Sequence, residues 1–115
     1  EEPITQDPQQ DSLLVRAQAV IKDNISNAAF GVEELAAELA MSRSALYRKL
    51  KNEVDTSPAD VITRCRMERA GTLLRTTNLS ISKITDMTGY KQISTFNRSF
   101  NRYYGHNPTD HRDKA

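Results

Sequence analysis

Four residues in the first half of this chain return 50 positions later. Leu46, Arg48, Leu50 and Pro58 are matched by Phe96, Arg98, Phe100 and Pro108. Upstream, Val32 and Leu35 match Ile81 and Ile84 at a shift of 49. Self-similarity at a fixed spacing marks repeated copies of one supersecondary unit, so the chain folds as two related units. The change of offset falls in the turn ahead of the basic helix, where insertions are tolerated best.

Each copy holds a helix whose two faces differ sharply. In "SRSALYRKLK", residues 42–51, Ser42 supplies an N-cap oxygen and no glycine or proline follows. Leu46 and Leu50 then share one face. At about 100° per residue, Arg48 points almost directly away from them, with Ser44 on the same side and Tyr47 and Lys51 on its flank. The second copy, from Gln92, turns Phe96, Phe100 and Tyr103 inward and Ser94, Asn97 and Arg98 outward.

The remaining punctuation is helical too. "EEPITQDPQQD", residues 1–11, has almost nothing to bury and reads as a linker or frayed tail. Leu13, Leu14, Ala17, Val20, Ile21 and Ile25 predict a first helix ending around Ser26 and Asn27, and a short second helix follows Gly31. Ser57 before Pro58 starts a long fourth helix to about Arg75, whose apolar residues spread widely enough to meet elements on both sides. A fifth helix starts at Ser80 and breaks at Gly89; the sixth ends at Gly105, and a last short turn follows Pro108. Four glycines, four prolines and few aromatics argue against an all-β fold. The expected architecture is all-α: two helix-turn-helix subdomains, about seven helices in all, with units at 12–56 and 77–115 joined by a linking helix at 57–76.

Charge and chemistry narrow the function. The net charge of +1 hides an asymmetry, since residues 1–31 hold five acids and two bases while residues 32–115 hold fourteen bases and ten acids. A basic partner surface therefore lies after Val32. The single cysteine, Cys65, excludes an internal disulfide and fits a small buried residue in a reducing compartment. No apolar run reaches membrane-span or signal-peptide length, so the expectation is a soluble, cytoplasmic chain without membrane contact. His106 and His111 have no cysteine or acidic partner at ligand spacing, so no metal and no cofactor is expected. Nor is there a phosphate-cradling glycine loop, a Gly-x-Ser-x-Gly nucleophile turn or a Cys/His pair, so the chain is not expected to be an enzyme. The start at Glu1 suggests a piece of something longer.

A single charged helix face reads as solvated surface; its duplication, with Arg48 and Arg98 at equivalent positions, does not. In a helix-turn-helix the second helix enters the major groove while the first crosses the backbone. Arginine offers a paired donor fork to guanine, and serine, asparagine and tyrosine bond bases or phosphates. At these residues the chain also resembles the AraC/XylS-type transcription regulators. The resemblance covers about residues 12–112 and is carried by "LAAELAMSRSALYRKLK", "RMERAGTLL" and "ISKITDMTGYKQISTFNRSFNRYYGHNPTDHR". The last follows the family pattern of an isoleucine pair, Gly-aromatic, Phe-x-Arg-x-Phe, Gly and Pro-x-x-x-Arg.

The resemblance implies a bacterial DNA-binding domain whose two recognition helices occupy successive major grooves, one monomer reading two adjacent half-sites. It places base contacts at Ser44, Tyr47, Arg48, Ser94, Asn97 and Arg98, and phosphate contacts at Arg43, Lys49, Lys51, Lys91, Thr95 and Arg102. The implied partners are double-stranded DNA, RNA polymerase and an upstream sensor or receiver domain. The style of "MSRSALYRKLK" resembles the output domains of response regulators and hybrid two-component sensors. The rival of another class is a helical protein-interaction module that keeps the scaffold without binding DNA. Departures from the family pattern gather in the second unit: Thr85 stands for an alanine beneath the recognition helix, Asn101 for a lysine and His111 for an aromatic. Ile93 beside the reading face can at most touch a thymine methyl, so the first unit is expected to carry more of the discrimination. Asp55 occupies the place of Gly105 and is expected to take a left-handed turn. Tyr47 and Tyr104 are left between packing and DNA contact.

Overall fold

Seven helices make up the regular structure of residues 12–114, the part described by this computed structural model: α1 (Leu13–Asp23), α2 (Val32–Glu38), α3 (Arg43–Val54), α4 (Pro58–Thr76), α5 (Ile81–Met87), α6 (Ile93–Tyr104) and α7 (Pro108–Asp113). No strand occurs among the described residues, as the all-α expectation requires. The tail expected at 1–11 lies outside them. Two compact units form. Among the described residues, one takes those up to Asn24 with Gly31–Ile62, and the other takes Ile25–Phe30 with those from Thr63 on. Residues 39–42 join α2 to α3 and residues 88–92 join α5 to α6, so the second turn is one residue longer, where the offset of the repeat changes.

In the first unit α1 packs on α2 and α3. Leu35, Leu46 and Leu50 are completely buried, and Ala17 and Ile21 of α1 are buried in the same unit. The start of α1 is capped twice. Ser12 Oγ accepts from Val15 N at 3.1 Å, and the Glu53 carboxylate of α3 accepts from Leu13 N and Leu14 N at 3.2 and 3.1 Å. A negative group at a helix N-terminus satisfies orphan donors and complements the dipole. The expected end at Ser26 and Asn27 is corrected: α1 stops at Asp23, because Asn24 leaves the helical region and its side-chain amide donates to Val20 O at 2.8 Å. Ile25 therefore falls outside the helix whose stripe it extends.

The turn between α2 and α3 uses a left-handed residue that is not glycine. Ala40 has φ +57°, while Met41 N closes onto Ala36 O at 2.9 Å. Its counterpart in the second unit is Gly89, with φ +83°. An alanine there costs about 1–2 kcal/mol, and a glycine gives back part of that gain through its greater freedom when unfolded. Ala40→Gly is therefore expected to stabilise the protein by about 0.5–1 kcal/mol, read as a higher urea midpoint. An unchanged or lower midpoint would contradict strain at this position. Asp55 takes the left-handed conformation expected of it, with φ +54° and ψ +44°.

The second unit is built on Met67, Leu74, Ile84, Phe96 and Phe100, all at most 1% exposed. Thr85 is buried where a smaller alanine was the family expectation, and its hydroxyl is satisfied by donating to Ile81 O at 2.8 Å. Arg66 is half-buried and fastens the 25–30 segment, donating from Nη2 to Asn27 O and Phe30 O at 3.0 Å each. Burial lowers its pKa, opposed by the neighbouring Tyr90. Tyr103 corrects the sequence reading: expected in the core, it is 40% exposed, its hydroxyl 3.4 Å from the Glu68 carboxylate. Tyr104 packs instead, donating to Met67 O at 3.0 Å with its ring tilted against that of Phe100, centroids 4.5 Å apart. Only a residue without a side chain fits beneath it, since a Cβ on Gly71 would collide with the Tyr104 hydroxyl.

Helix α7 is held by Arg112, which donates from Nε to Leu74 O at 3.0 Å and from Nη2 to Leu79 O and Thr77 O at 2.7 and 3.2 Å. Beside it runs a chain with one polarity. Arg75 Nη1 lies 3.0 Å from His111 Nε2, and His111 Nδ1 lies 2.8 Å from His106 Nε2. Arginine only donates, so His111 Nε2 must accept, and neutral His111 then carries its proton on Nδ1 and donates to His106. Burial first, then the Arg75 charge and His106, lower the His111 pKa. Its neutral form is thus favoured in the fold. The stabilisation is fully present above the unfolded value of about 6.5 and is lost as pH falls through the lower folded value. The melting temperature is accordingly expected to fall between about pH 7.5 and 5.5, with a shallower fall in His111→Phe. Equal slopes in the two proteins would rule His111 out as the cause.

Candidate nucleic-acid interface

The same device orients both basic helices. Ser42 Oγ accepts from Ala45 N at 3.1 Å and starts α3, and buried Leu46 and Leu50 then fix its rotation. Ser44, Tyr47 and Arg48 are left exposed in consequence. Gln92 caps α6 with its backbone geometry but not its side chain, and Phe96 and Phe100 turn Ser94, Asn97 and Arg98 outward, all exposed. The six positions expected to meet bases therefore lie on solvent-facing surface, three in each unit. Tyr47 is 52% exposed and lines an open cleft of about 650 Å³ with Val32, Arg43, Ser44, Ser57 and Pro58, so it lies at the margin of the packed surface.

The cations expected at phosphates are less uniform. Lys49, Lys91 and Arg102 are exposed, while Thr95 is half-buried. Arg43 Nη1 lies 3.6 Å from Glu33 of α2, and Lys51 Nζ lies 3.0 Å from Asp55. The hydrogen bond to Asp55 raises the Lys51 pKa, so Lys51 stays charged but already has an anionic partner. Both pairs are solvent-exposed, where such bridges contribute little and exchange readily for a stronger anion. Sequence reading missed both pairings: Asp55 follows Lys51 by four residues, a spacing at which helical side chains meet, whereas Glu33 and Arg43 come together only through the packing of α2 on α3. Among the described residues, no cluster of three or more His, Cys, Asp or Glu side chains is placed to hold a metal, and no helix is long and apolar enough to cross a membrane.

Two helices, each exposing an arginine, a serine and a further polar side chain, can each offer hydrogen bonds to a grooved, anionic ligand. Known proteins with this arrangement bear on what that ligand is. Residues 35–114 match a family described as a helix-turn-helix domain. The chain is 30% identical over 104 residues to histidine kinase P4 of Formosa agariphila, a match covering 90% of this chain and 8% of the kinase. Curated transcriptional regulators matched at 32–40% identity are also longer, and the chain spans 29–38% of their length. Among solved structures, a DNA-binding transcriptional dual regulator from Escherichia coli K-12 superposes with a TM-score of 0.83 at 34% identity, covering 95% of this chain and 96% of that one. The C-terminal domain of AraT, a response regulator from Geobacillus stearothermophilus, gives 0.82 at 30% identity, covering 89% and 84%. With the family match spanning residues 35–114 and the structural likenesses covering 89–95% of the chain, it is a member of the AraC-type helix-turn-helix family.

Proposed function

We propose that this chain is the sequence-specific double-stranded DNA-binding domain of a bacterial, cytoplasmic transcription regulator, acting by binding alone and without catalysis. The observation that carries the reading is the duplicated face: Ser44, Tyr47 and Arg48 in one unit and Ser94, Asn97 and Arg98 in the other, each turned outward by a fully buried pair. Helices α3 and α6 enter the major groove, where Arg48 and Arg98 take guanine edges. Lys49, Lys91 and Arg102 neutralise phosphates, joined by Arg43 and Lys51 after they exchange their acidic neighbours for DNA, and Thr95 adds a hydroxyl donor. The likeness to a histidine kinase and to a response regulator's C-terminal domain supports a place as the output domain of a two-component protein. An upstream receiver or sensor region and RNA polymerase are its further partners on this reading.

Selection of bound duplexes from a random library gives the site, and anisotropy titrations over a salt series give the electrostatic share. Affinity should fall steeply as salt rises. Arg48→Ala and Arg98→Ala should each weaken binding by about 5- to 150-fold and relax preference at a different half-site. Absence of binding to any duplex at low salt would favour a protein-interaction module that keeps the scaffold without DNA binding.

A further inference from the structure

The two reading faces are not copies throughout. Serine recurs at 44 and 94 and arginine at 48 and 98, but Arg43 and Tyr47 are replaced by Ile93 and Asn97. Both differences fall on neighbouring surface, because positions four apart on a helix lie on one face one turn from each other. In the first unit Arg43 leans on Glu33 and Tyr47 stands 52% exposed. In the second, Ile93 opens α6 at the end of the stripe that continues into Phe96 and Phe100, yet it is 45% exposed while they are fully buried. It lines an open groove with Lys83, Asp86, Tyr90 and Lys91, so this alkyl group shares a surface with two cations and lies one helical turn from the exposed Asn97.

Resting on the DNA-binding reading above, we infer that the second unit selects A·T base pairs next to the guanine taken by Arg98. Asn97 pairs with the N6/N7 edge of adenine, and Ile93 packs on the 5-methyl group of thymine. A branched alkyl side chain offers that methyl apolar contact and offers a guanine or cytosine edge nothing, while an amide matches adenine with one donor and one acceptor. Lys83 and Lys91 bring the phosphates of the same half-site to this edge, whereas the Asp86 carboxylate in the same groove repels phosphate and limits how closely the backbone approaches. Arg48 and Arg98 supply the guanine contact common to both halves, and positions 43 and 47 against 93 and 97 make the halves differ.

The test alters single DNA atoms first and then the two protein side chains. In the selected duplex, each thymine of the second half-site is replaced singly by deoxyuridine, which removes only the methyl, and each adenine by 7-deazaadenine, which removes N7. For the wild-type chain, one thymine substitution should weaken binding about fourfold and one adenine substitution about five- to tenfold. Ile93→Ala should be indifferent to the first change and Asn97→Ala to the second, and I93R/N97Y should shift the second half-site towards the sequence of the first. Salt-sensitive binding with no effect of either analogue, or two identical selected half-sites, overturns this inference and leaves DNA binding standing. No binding to any duplex overturns both.

Discussion

Replacing Phe96 by alanine lowers the unfolding free energy by about 3–5 kcal/mol, the cost of emptying a fully buried aromatic site. The ring is 0% exposed, meets Tyr90 edge-on at 5.6 Å and lies 5.8 Å from Phe100. Nothing in the second unit can collapse into the space easily, because Met67, Leu74 and Ile84 are already buried around the same core. Since small domains hold about 5–15 kcal/mol in total, a substantial fraction of the second unit is expected to unfold at moderate temperature. Urea unfolding followed by circular dichroism measures it. Phe96→Leu, which keeps much of the volume, should cost about 1–2 kcal/mol. If alanine cost under about 1 kcal/mol, Phe96 would not be the group that fixes the rotation of α6. The same loss should reach DNA binding, because Ser94 and Arg98 keep their aim only while Phe96 and Phe100 are seated.

Gly89→Ala is the second large loss, about 2–4 kcal/mol, from two additive causes. With φ +83° a Cβ meets its own carbonyl, and in space it would come within 2.6 Å of Ile25 O and 3.0 Å of the Arg66 guanidinium. Neither neighbour gives way freely: Ile25 O belongs to backbone, and Arg66 is held by Asn27 O and Phe30 O. The comparison with Ala40 separates the two causes. That alanine adopts the same left-handed turn in the first unit, but on exposed surface. Conformational strain alone is therefore tolerable, and it is the buried approach of the 25–30 segment that forbids the methyl group. Denaturant midpoints of Gly89→Ala and Ala40→Gly should move in opposite directions; two shifts of the same sign would contradict this division.

Much of the candidate site was legible because it depends on local rules. Helical period put Leu46 and Leu50, and Phe96 and Phe100, on one face, and the opposite face followed from geometry alone. Serines 42, 57 and 80 each accept from the backbone amide three residues on, so the starts of α3, α4 and α5 were readable as caps. Asp55 was readable as a left-handed turn for the same reason. The errors lie where local signals compete. Asn24 stops α1 early by bonding back to Val20, although Ile25 continues the apolar stripe. Tyr103 and Tyr104 both fall near the buried face of α6; spacing from Phe96 and Phe100 pointed to Tyr103, and packing took Tyr104 instead.

What the sequence determined by itself is the pair of related helical units, the order of their helices and the side of each recognition helix that meets solvent, because period, capping and repetition are properties of neighbouring residues. What only the tertiary structure decided is which side chains hold distant segments together. Tyr104 reaches Met67 across 37 positions, Arg66 reaches Phe30 across 36, and Arg75, His111 and His106 align into one directional chain. Such contacts have no spacing rule, since they exist only after packing has brought the segments within reach and removed the water that would otherwise satisfy the same donors and acceptors.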